Sequence, residues 1–252
     1  ASAVESVRPR MIASPRVWRR GVEGRTDARQ GARRRAFATI ATRGQAGGMG
    51  TCSGRLIFAP HVDDEVLGCF AFLGSDTHVV HAGIEDRPSV FERTRELEES
   101  AAALGFTHSC LDMPVNRYRA VDLIEGFEAA IALHRPRTAL IPEPSYNQDH
   151  RAVYDAAIVA TRPHDTNWRV DQVLVYEQPH SVQWRHSSME MPTVFVPIDA
   201  DAKVAAYERY RSQLRGHRSP ELVRALAILR GSQIGVPAAE GFHCRRWIAE
   251  AA

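Results

Sequence analysis

Leu56-Ile57-Phe58-Ala59-Pro60-His61-Val62-Asp63-Asp64-Glu65 is the stretch on which the reading of this chain turns. Its four leading apolar residues have the continuous character of a strand buried on both faces of a sheet. Val66-Leu67-Gly68-Cys69-Phe70-Ala71-Phe72-Leu73 follows and reads as the start of a packed helix. Between the two, one imidazole and three carboxylates crowd a strand-to-helix loop, the place where open α/β sheets bind ligands. Ionisable groups set side by side repel and desolvate one another unless a cation or solvent compensates. A divalent metal is such a cation. The competing account is an acidic helix N-terminus favoured by the helix dipole. A histidine two residues before the first Asp, straight after a strand, favours the metal.

A second cluster supplies further ligands. Thr138-Ala139-Leu140-Ile141-Pro142 reads as another buried strand, followed by Glu143-Pro144-Ser145-Tyr146-Asn147-Gln148-Asp149-His150 and then by a helix from Arg151 to Ala160. If the two strands are parallel in one sheet, their carboxyl ends share an edge and the two loops meet. His61, one Asp of the Asp63-Asp64 pair and His150 would then offer two nitrogens and one oxygen. Three protein ligands and an open position make the pattern of a catalytic zinc site. The same set suits non-haem iron(II).

These motifs resemble the PIG-L/LmbE-like family of metal-dependent N-acetylglucosaminyl deacetylases. Its Pro-His-x-Asp-Asp-Glu stands here as Pro60 to Glu65, and its His-x-Asp-His-x-Ala-Val as Asn147 to Val153. An Arg-x-x-Glu-Leu motif stands as Arg93 to Leu97, with Leu104-Gly105 further on. Later echoes are Tyr176-Glu177, Phe195 to Asp199 with Lys203, Ser212-Gln213, Arg230-Gly231 and Ala239 to Phe242. The resemblance runs over residues 55–245. It implies that His61, Asp64 and His150 hold Zn2+, with Fe2+ as the other option. It also implies that Asp63 is the general base toward water, and that Arg93 contacts substrate. The implied reaction removes an acetyl group from an N-acetylglucosamine-type amino sugar in a small glycoside. The implied fold is α/β and Rossmann-like, a mostly parallel sheet flanked by helices.

Two positions depart from the family pattern. Asn147 stands where a histidine is usual. Asn can donate a hydrogen bond to an oxyanion but cannot act as a general acid near neutral pH. Three repairs offer themselves: Asp63 returns its proton to the leaving amine, Tyr146 donates to the oxyanion, or another histidine enters the site, His243 first and His180 second. The favoured arrangement is Asp63 as shuttle with Asn147 as oxyanion donor, which leaves the role of Asp149 open. Asn116 stands near the place of an acidic residue that binds a sugar hydroxyl, and Asp112 is the substitute. The loops 112–120 and 179–191 are where specificity should lie, with Trp184 a candidate to stack on a sugar face or aromatic aglycone.

Composition bounds the rest. Lys203 is the only lysine, so the basic charge is arginine. Residues 1–48 carry 11 Arg against Glu5, Glu23 and Asp27, a balance of +8 within a chain of formal charge +2, so the remainder carries −6. An acidic domain is a poor match for nucleic acid, whose binding needs a basic face. Residues 1–50 form an Arg-rich extension expected to lack stable structure, and residues 51–252 the deacetylase-like domain. The extension has no apolar core of secretory length. It reads as sequence upstream of a start at Met49, ahead of a transit peptide or a basic contact segment. Cys52, Cys69, Cys110 and Cys244 show no metal or redox spacing, as in a cytoplasmic protein with reduced thiols. No run approaches the roughly 20 apolar residues of a membrane span.

Strands are expected near 56–59, 77–82, 107–111, 138–142, 172–176 and 193–198, and helices at 92–104, 123–134, 151–160, 200–214 and 220–229. Such alternation implies a mostly parallel sheet with both faces covered, the later strands being antiparallel additions. Three functions are compatible with the residues. The first is deacetylation of a small amino-sugar glycoside. The second is removal of a longer N-acyl chain in natural-product biosynthesis. The third is metal binding without catalysis, prompted by Asn147.

Overall fold

The computed structural model describes residues 54–86, 89–184 and 191–249. The Arg-rich extension, Met49 and Cys52 lie outside the described residues. Seven strands form one sheet: β1 (Arg55–Ala59), β2 (Thr77–His81), β3 (Thr107–Cys110), β4 (Thr138–Pro142), β5 (Gln172–Tyr176), β6 (Val194–Pro197) and β7 (Ala239–Trp247). Their order is β3-β2-β1-β4-β5-β7-β6. The first five are parallel, and β7 pairs antiparallel with both β5 and β6. Chain order runs outward from β1 to β3 in one direction and from β4 to β5 in the other. The gap between β1 and β4 is therefore the topological switch point, where ligands bind in open α/β sheets.

The helices are α1 (Asp64–Cys69), α2 (Val90–Leu104), α3 (Ala120–His134), α4 (Gln148–Ala160), α5 (Pro179–Trp184), α6 (Ala200–Tyr207) and α7 (Pro220–Ser232). Side chains alternate across the sheet, so the central strands feed two cores. Leu56, Phe58, Ile141 and Val175 pack against Phe127 and Ile131 of α3 and Val153 and Ala157 of α4. Ile57, Leu140, Leu174 and Phe242 pack on the opposite face against Leu97 of α2, Tyr207 of α6 and Val223 of α7. Local signals start the helices: Ser89, Asn147, Asp199 and Ser219 cap α2, α4, α6 and α7 with side-chain oxygens.

Four elements differ from the sequence expectation. The helix after β1 is only six residues long and passes into a 3-10 turn at Phe70–Phe72. Glu240 explains the break, because its carboxylate accepts the Phe70 and Ala71 backbone N–H groups at 3.0 and 2.8 Å. Lys203 Nζ meanwhile donates to the Leu67 carbonyl at 2.7 Å and to Glu240 at 2.6 Å. Residues 200–214 are likewise a short helix followed by a 3-10 turn at Arg211–Gln213. Strand β7 was not expected, since Glu240, Gly241 and His243 interrupt the apolar pattern, and part of the expected loop 179–191 is α5. No helix of the described residues is long and apolar enough to cross a membrane.

At the β2–β3 edge, His78 bonds to Thr107 Oγ1 at 2.8 Å and Ser109 Oγ at 2.9 Å, and its ring stacks on His134 at 3.8 Å. Burial first, and then repulsion from His134, His108 and His81, pushes its pKa down from 6.5 to about 2. The unfolded chain therefore binds one more proton than the native chain at this position between those two values. The stability this position supports is complete above pH 6.5 and is lost as the pH falls toward 2. His78→Gln should reduce the loss of unfolding free energy below pH 6 by about 1.4 kcal/mol per pH unit. Urea unfolding at a series of pH values measures that slope; an unchanged slope would show that His78 titrates normally.

Candidate metal and active site

The loops after β1 and β4 meet over the switch point. Asp63 ends the first loop with a left-handed backbone, φ 105°, which a non-glycine residue adopts only when its surroundings enforce it. Glu65 supplies that enforcement. Its carboxylate is fully buried and accepts the Asp63 backbone N–H at 3.1 Å, the Tyr210 hydroxyl, and a contact from His81 Nε2 at 3.2 Å. The third carboxylate of the motif thus anchors the turn from within, and His81 belongs to that anchor.

His61, Asp64 and His150 each present a ligand atom, all within 4.8 Å of one another. Asp64 Oδ2 lies 3.4 Å from His61 Nδ1 and 3.4 Å from His150 Nε2, and accepts the His61 backbone N–H at 2.9 Å. Against burial, the charge of His150 and hydrogen bonds from His61 hold the Asp64 carboxyl well below the usual range. Burial pushes His150 down to about 3, and its Nδ1 is buried with no hydrogen-bond partner. Two imidazoles and a carboxylate facing one point fit a divalent ion with open positions. Zinc and iron(II) both suit that donor set.

Asp149, whose role the sequence left open, supports this set. Its Oδ2 accepts from His61 Nε2 at 3.0 Å and from the Asn116 backbone N–H at 2.6 Å, and its Oδ1 accepts from the Tyr118 N–H at 3.3 Å. A carboxylate on the far nitrogen of a ligating histidine fixes the ring's tautomer and direction. Burial opposes charge on His61, but the bonds to Asp149 and Asp64 prevail and raise it to about 9. Asn116 therefore enters the site through its backbone, at φ 66°. Asp112 is exposed at φ 55° on the same loop.

Asp63 is buried beside the ligand set. Desolvation is the main influence and, with Asp64 and Glu65 nearby, raises its pKa to about 7 against the opposing charge of Arg218. Arg218 Nη1 lies 3.2 Å from Asp63 Oδ2, out of line for a hydrogen bond. No sequence signal singled out Arg218, because it comes from the turn before α7. Arg93 is buried and paired with Glu85, and the Asp63 charge acts on it.

The histidine that stands beside the site is His180. Its ring packs edge-on to His150 at 4.7 Å, and its Nε2 shares a hydrogen bond with Ser145 Oγ at 2.9 Å. Burial lowers its pKa to about 4, so the ring is neutral at pH 7. His243 instead groups with Glu143 and Glu177. Asn147 Oδ1 accepts the Asp149 backbone N–H at 2.9 Å and caps α4, which leaves its amide nitrogen as the donor end. Tyr146, 48% exposed, and Trp184, 69% exposed, form an aromatic rim with ring centroids 6.3 Å apart, and Tyr146 also meets His180 at 5.4 Å.

No protein-family model matches the chain, and no curated protein matches it by sequence. Solved structures do share the fold. A conserved protein of Thermus thermophilus, TT1542, is 24% identical with a TM-score of 0.66, over 79% of this chain and 97% of that one. The 4-carboxy-2-hydroxymuconate hydratase GalB of Pseudomonas putida KT2440 is 18% identical with a TM-score of 0.63, over 79% and 99%. The N,N'-diacetylchitobiose deacetylase of Pyrococcus horikoshii is 19% identical with a TM-score of 0.62, over 89% and 94%. At these identities the likeness is one of fold.

The Asp149–His61 contact predicts a measurable cost. Asp149→Asn should keep the fold and weaken zinc binding about 10–100-fold, the usual loss when the partner of a ligating histidine is removed. Competition against a fluorescent chelator measures this, and wild-type affinity in the variant would show that Asp149 serves the loop alone.

Proposed function

We propose that this chain is a metal-dependent amide hydrolase that removes the N-acetyl group from an N-acetylglucosamine-type amino sugar in a small glycoside. The observation that carries the reading is the convergence of His61, Asp64 and His150 with the buried carboxyl of Asp63 beside them. The motif resemblance and the shared fold of a chitobiose deacetylase support it. A divalent ion held by the three ligands, zinc in the first instance, would polarise the acetyl carbonyl and bring the pKa of a bound water to about 7.

The chain's own groups do the rest. Asp63, with a pKa raised to about 7, accepts the proton of the attacking water as the new C–O bond forms. It then returns that proton to the departing nitrogen as the C–N bond breaks, giving acetate and a free amine. Near-neutral pKa values are those at which one group both takes and gives a proton efficiently. Charge that develops on the carbonyl oxygen needs donors already in place. Asn147 supplies its amide nitrogen, since its oxygen is committed to the helix cap. The neutral ring of His180, held by Ser145, supplies a second donor. Arg93 and the 112–116 loop face the sugar, and the rim of Tyr146 and Trp184 takes its apolar face or aglycone. That rim also accommodates a longer N-acyl chain, the alternative substrate.

A second reading has an observation of its own. Two cations stand near Asp63, Arg218 at 3.2 Å and Arg93 in its pair with Glu85, and a hydratase of a carboxylated substrate shares the fold. Amine release separates the two readings. The chelated protein should release amine from N-acetylglucosamine glycosides only after zinc or iron(II) is restored. No amine release, together with hydration of an unsaturated dicarboxylate, would favour the second reading.

Two variants test the assignments. Asp63→Asn should retain bound metal and lose about 10²–10⁴-fold in turnover; normal turnover would remove Asp63 from the mechanism. Trp184→Ala should raise KM for glycosides with an aromatic or extended aglycone while leaving kcat within about twofold, as for loss of uniform binding. An unchanged KM across the glycoside panel would take Trp184 out of substrate recognition.

A further inference from the structure

A second group of potential ligands lies outside the His61 site. Glu143, Glu177 and His243 each present a ligand atom within 4.8 Å of the others. They come from three neighbouring strands. Glu143 follows the last residue of β4, Glu177 follows the last residue of β5, and His243 lies in β7 opposite Val175. The Glu143 N–H donates to the Tyr176 carbonyl at 2.9 Å, so the β4–β5 ladder continues to the level of the two glutamates. The pleat puts Glu143, Glu177 and His243 on one face of the sheet, with Ile141 and Val175 beneath them. Gly241 lies on the same face, where an added Cβ would come within 3.0 Å of Glu177 Oε2. Pro192 fills that place from the other side, its Cγ and Cβ lying 2.8 and 2.9 Å from where the Cβ would sit, so only a glycine fits there.

Two features mark this group as more than an acidic cluster. His243 is 7% exposed, and its Nε2 is buried without a hydrogen-bond partner. A buried ring nitrogen left in that state calls for an explanation such as an ion. Glu143 is also buried. Arg230 binds both oxygens of Glu177, at 2.7 and 2.6 Å. Arg245, the other cation that acts on His243, bonds instead to the Tyr154 hydroxyl at 2.5 Å.

We propose that Glu143, Glu177 and His243 form a second divalent-cation site. Two carboxylates and one imidazole suit zinc or manganese. The ion would cross-link β4, β5 and β7, tying the antiparallel extension to the parallel sheet. It would also fix the start of the β4–α4 loop that carries Ser145, Tyr146 and Asn147. This site stands independently of the deacetylase reading.

The test is the zinc content of the full, tag-free chain, dialysed against buffered micromolar zinc and measured by plasma mass spectrometry. Wild type should hold two zinc ions per chain. His243→Ala should hold one, as should the near-isosteric Glu143→Gln, which serves if loss of the imidazole impairs folding. Asp64→Asn should also hold one, and the combination of Asp64→Asn with Glu143→Gln none. A single ion in wild type that is lost in Asp64→Asn and kept in both His243→Ala and Glu143→Gln would overturn this site and leave the first intact. A single ion kept in Asp64→Asn and lost in Glu143→Gln would support this site and count against the first. Two ions in every single variant would place the second ion elsewhere and overturn the proposal.

Discussion

The site depends on one carboxylate oxygen. Asp64 Oδ2 sits 3.4 Å from an imidazole nitrogen of the β1 loop and 3.4 Å from one at the start of α4, beyond the β4 loop. Nothing local brings His61 and His150 together. They meet because β1 and β4 are adjacent parallel strands whose register begins at Arg55 opposite Thr138. Parallel pairing puts both loops at one edge, and the reversal of strand order opens a crevice between them. The apolar runs that make those strands therefore position the polar groups.

Such a crowd of ionisable groups has to be held in place. Glu65 serves as an internal anchor, gathering the Asp63 backbone, Tyr210 and His81 into one buried network. Asp149 serves the other loop, joining His61 to the backbone of the 116–118 turn. Each of these carboxylates faces away from solvent and receives several donors, the condition under which a buried charge is tolerable. Asp63 differs. Its nearest cation approaches without hydrogen-bond geometry, and its proton is held near neutrality. Two adjacent aspartates in one loop thus have opposite proton affinities, a separation that comes from their surroundings.

Much of this was legible in the sequence, and the parts that were not share a cause. Apolar runs bounded by turns marked the five parallel strands, and the two strand-to-helix loops marked the three convergent residues. Strand β7 escaped because its buried residues include Glu240 and His243, and the partners that make the burial of Glu240 tolerable are distant in the chain. Glu240 finds Lys203 and two backbone donors of the turn after α1. Glu65 read as one more acidic residue because its partner Tyr210 lies 145 residues away. Arg218 belongs to no pattern and reaches Asp63 only through the packing of α6 against α1 and of α7 against α6. The sequence put His243 ahead of His180, because His243 lies near the late family motif. Strand order separates them, leaving His180 beside His150 and His243 on the β5–β7 ladder.

The central claim is that the two loops close around an ion. Anomalous diffraction at the zinc edge, from crystals of the chain equilibrated with zinc, tests it most directly. The account predicts a strong peak about 2.0–2.2 Å from His61, Asp64 and His150 together, with Asp149 still bonded to the far nitrogen of His61. An anomalous map without density at that point, in crystals with the two imidazoles and the carboxylate ordered, would contradict it.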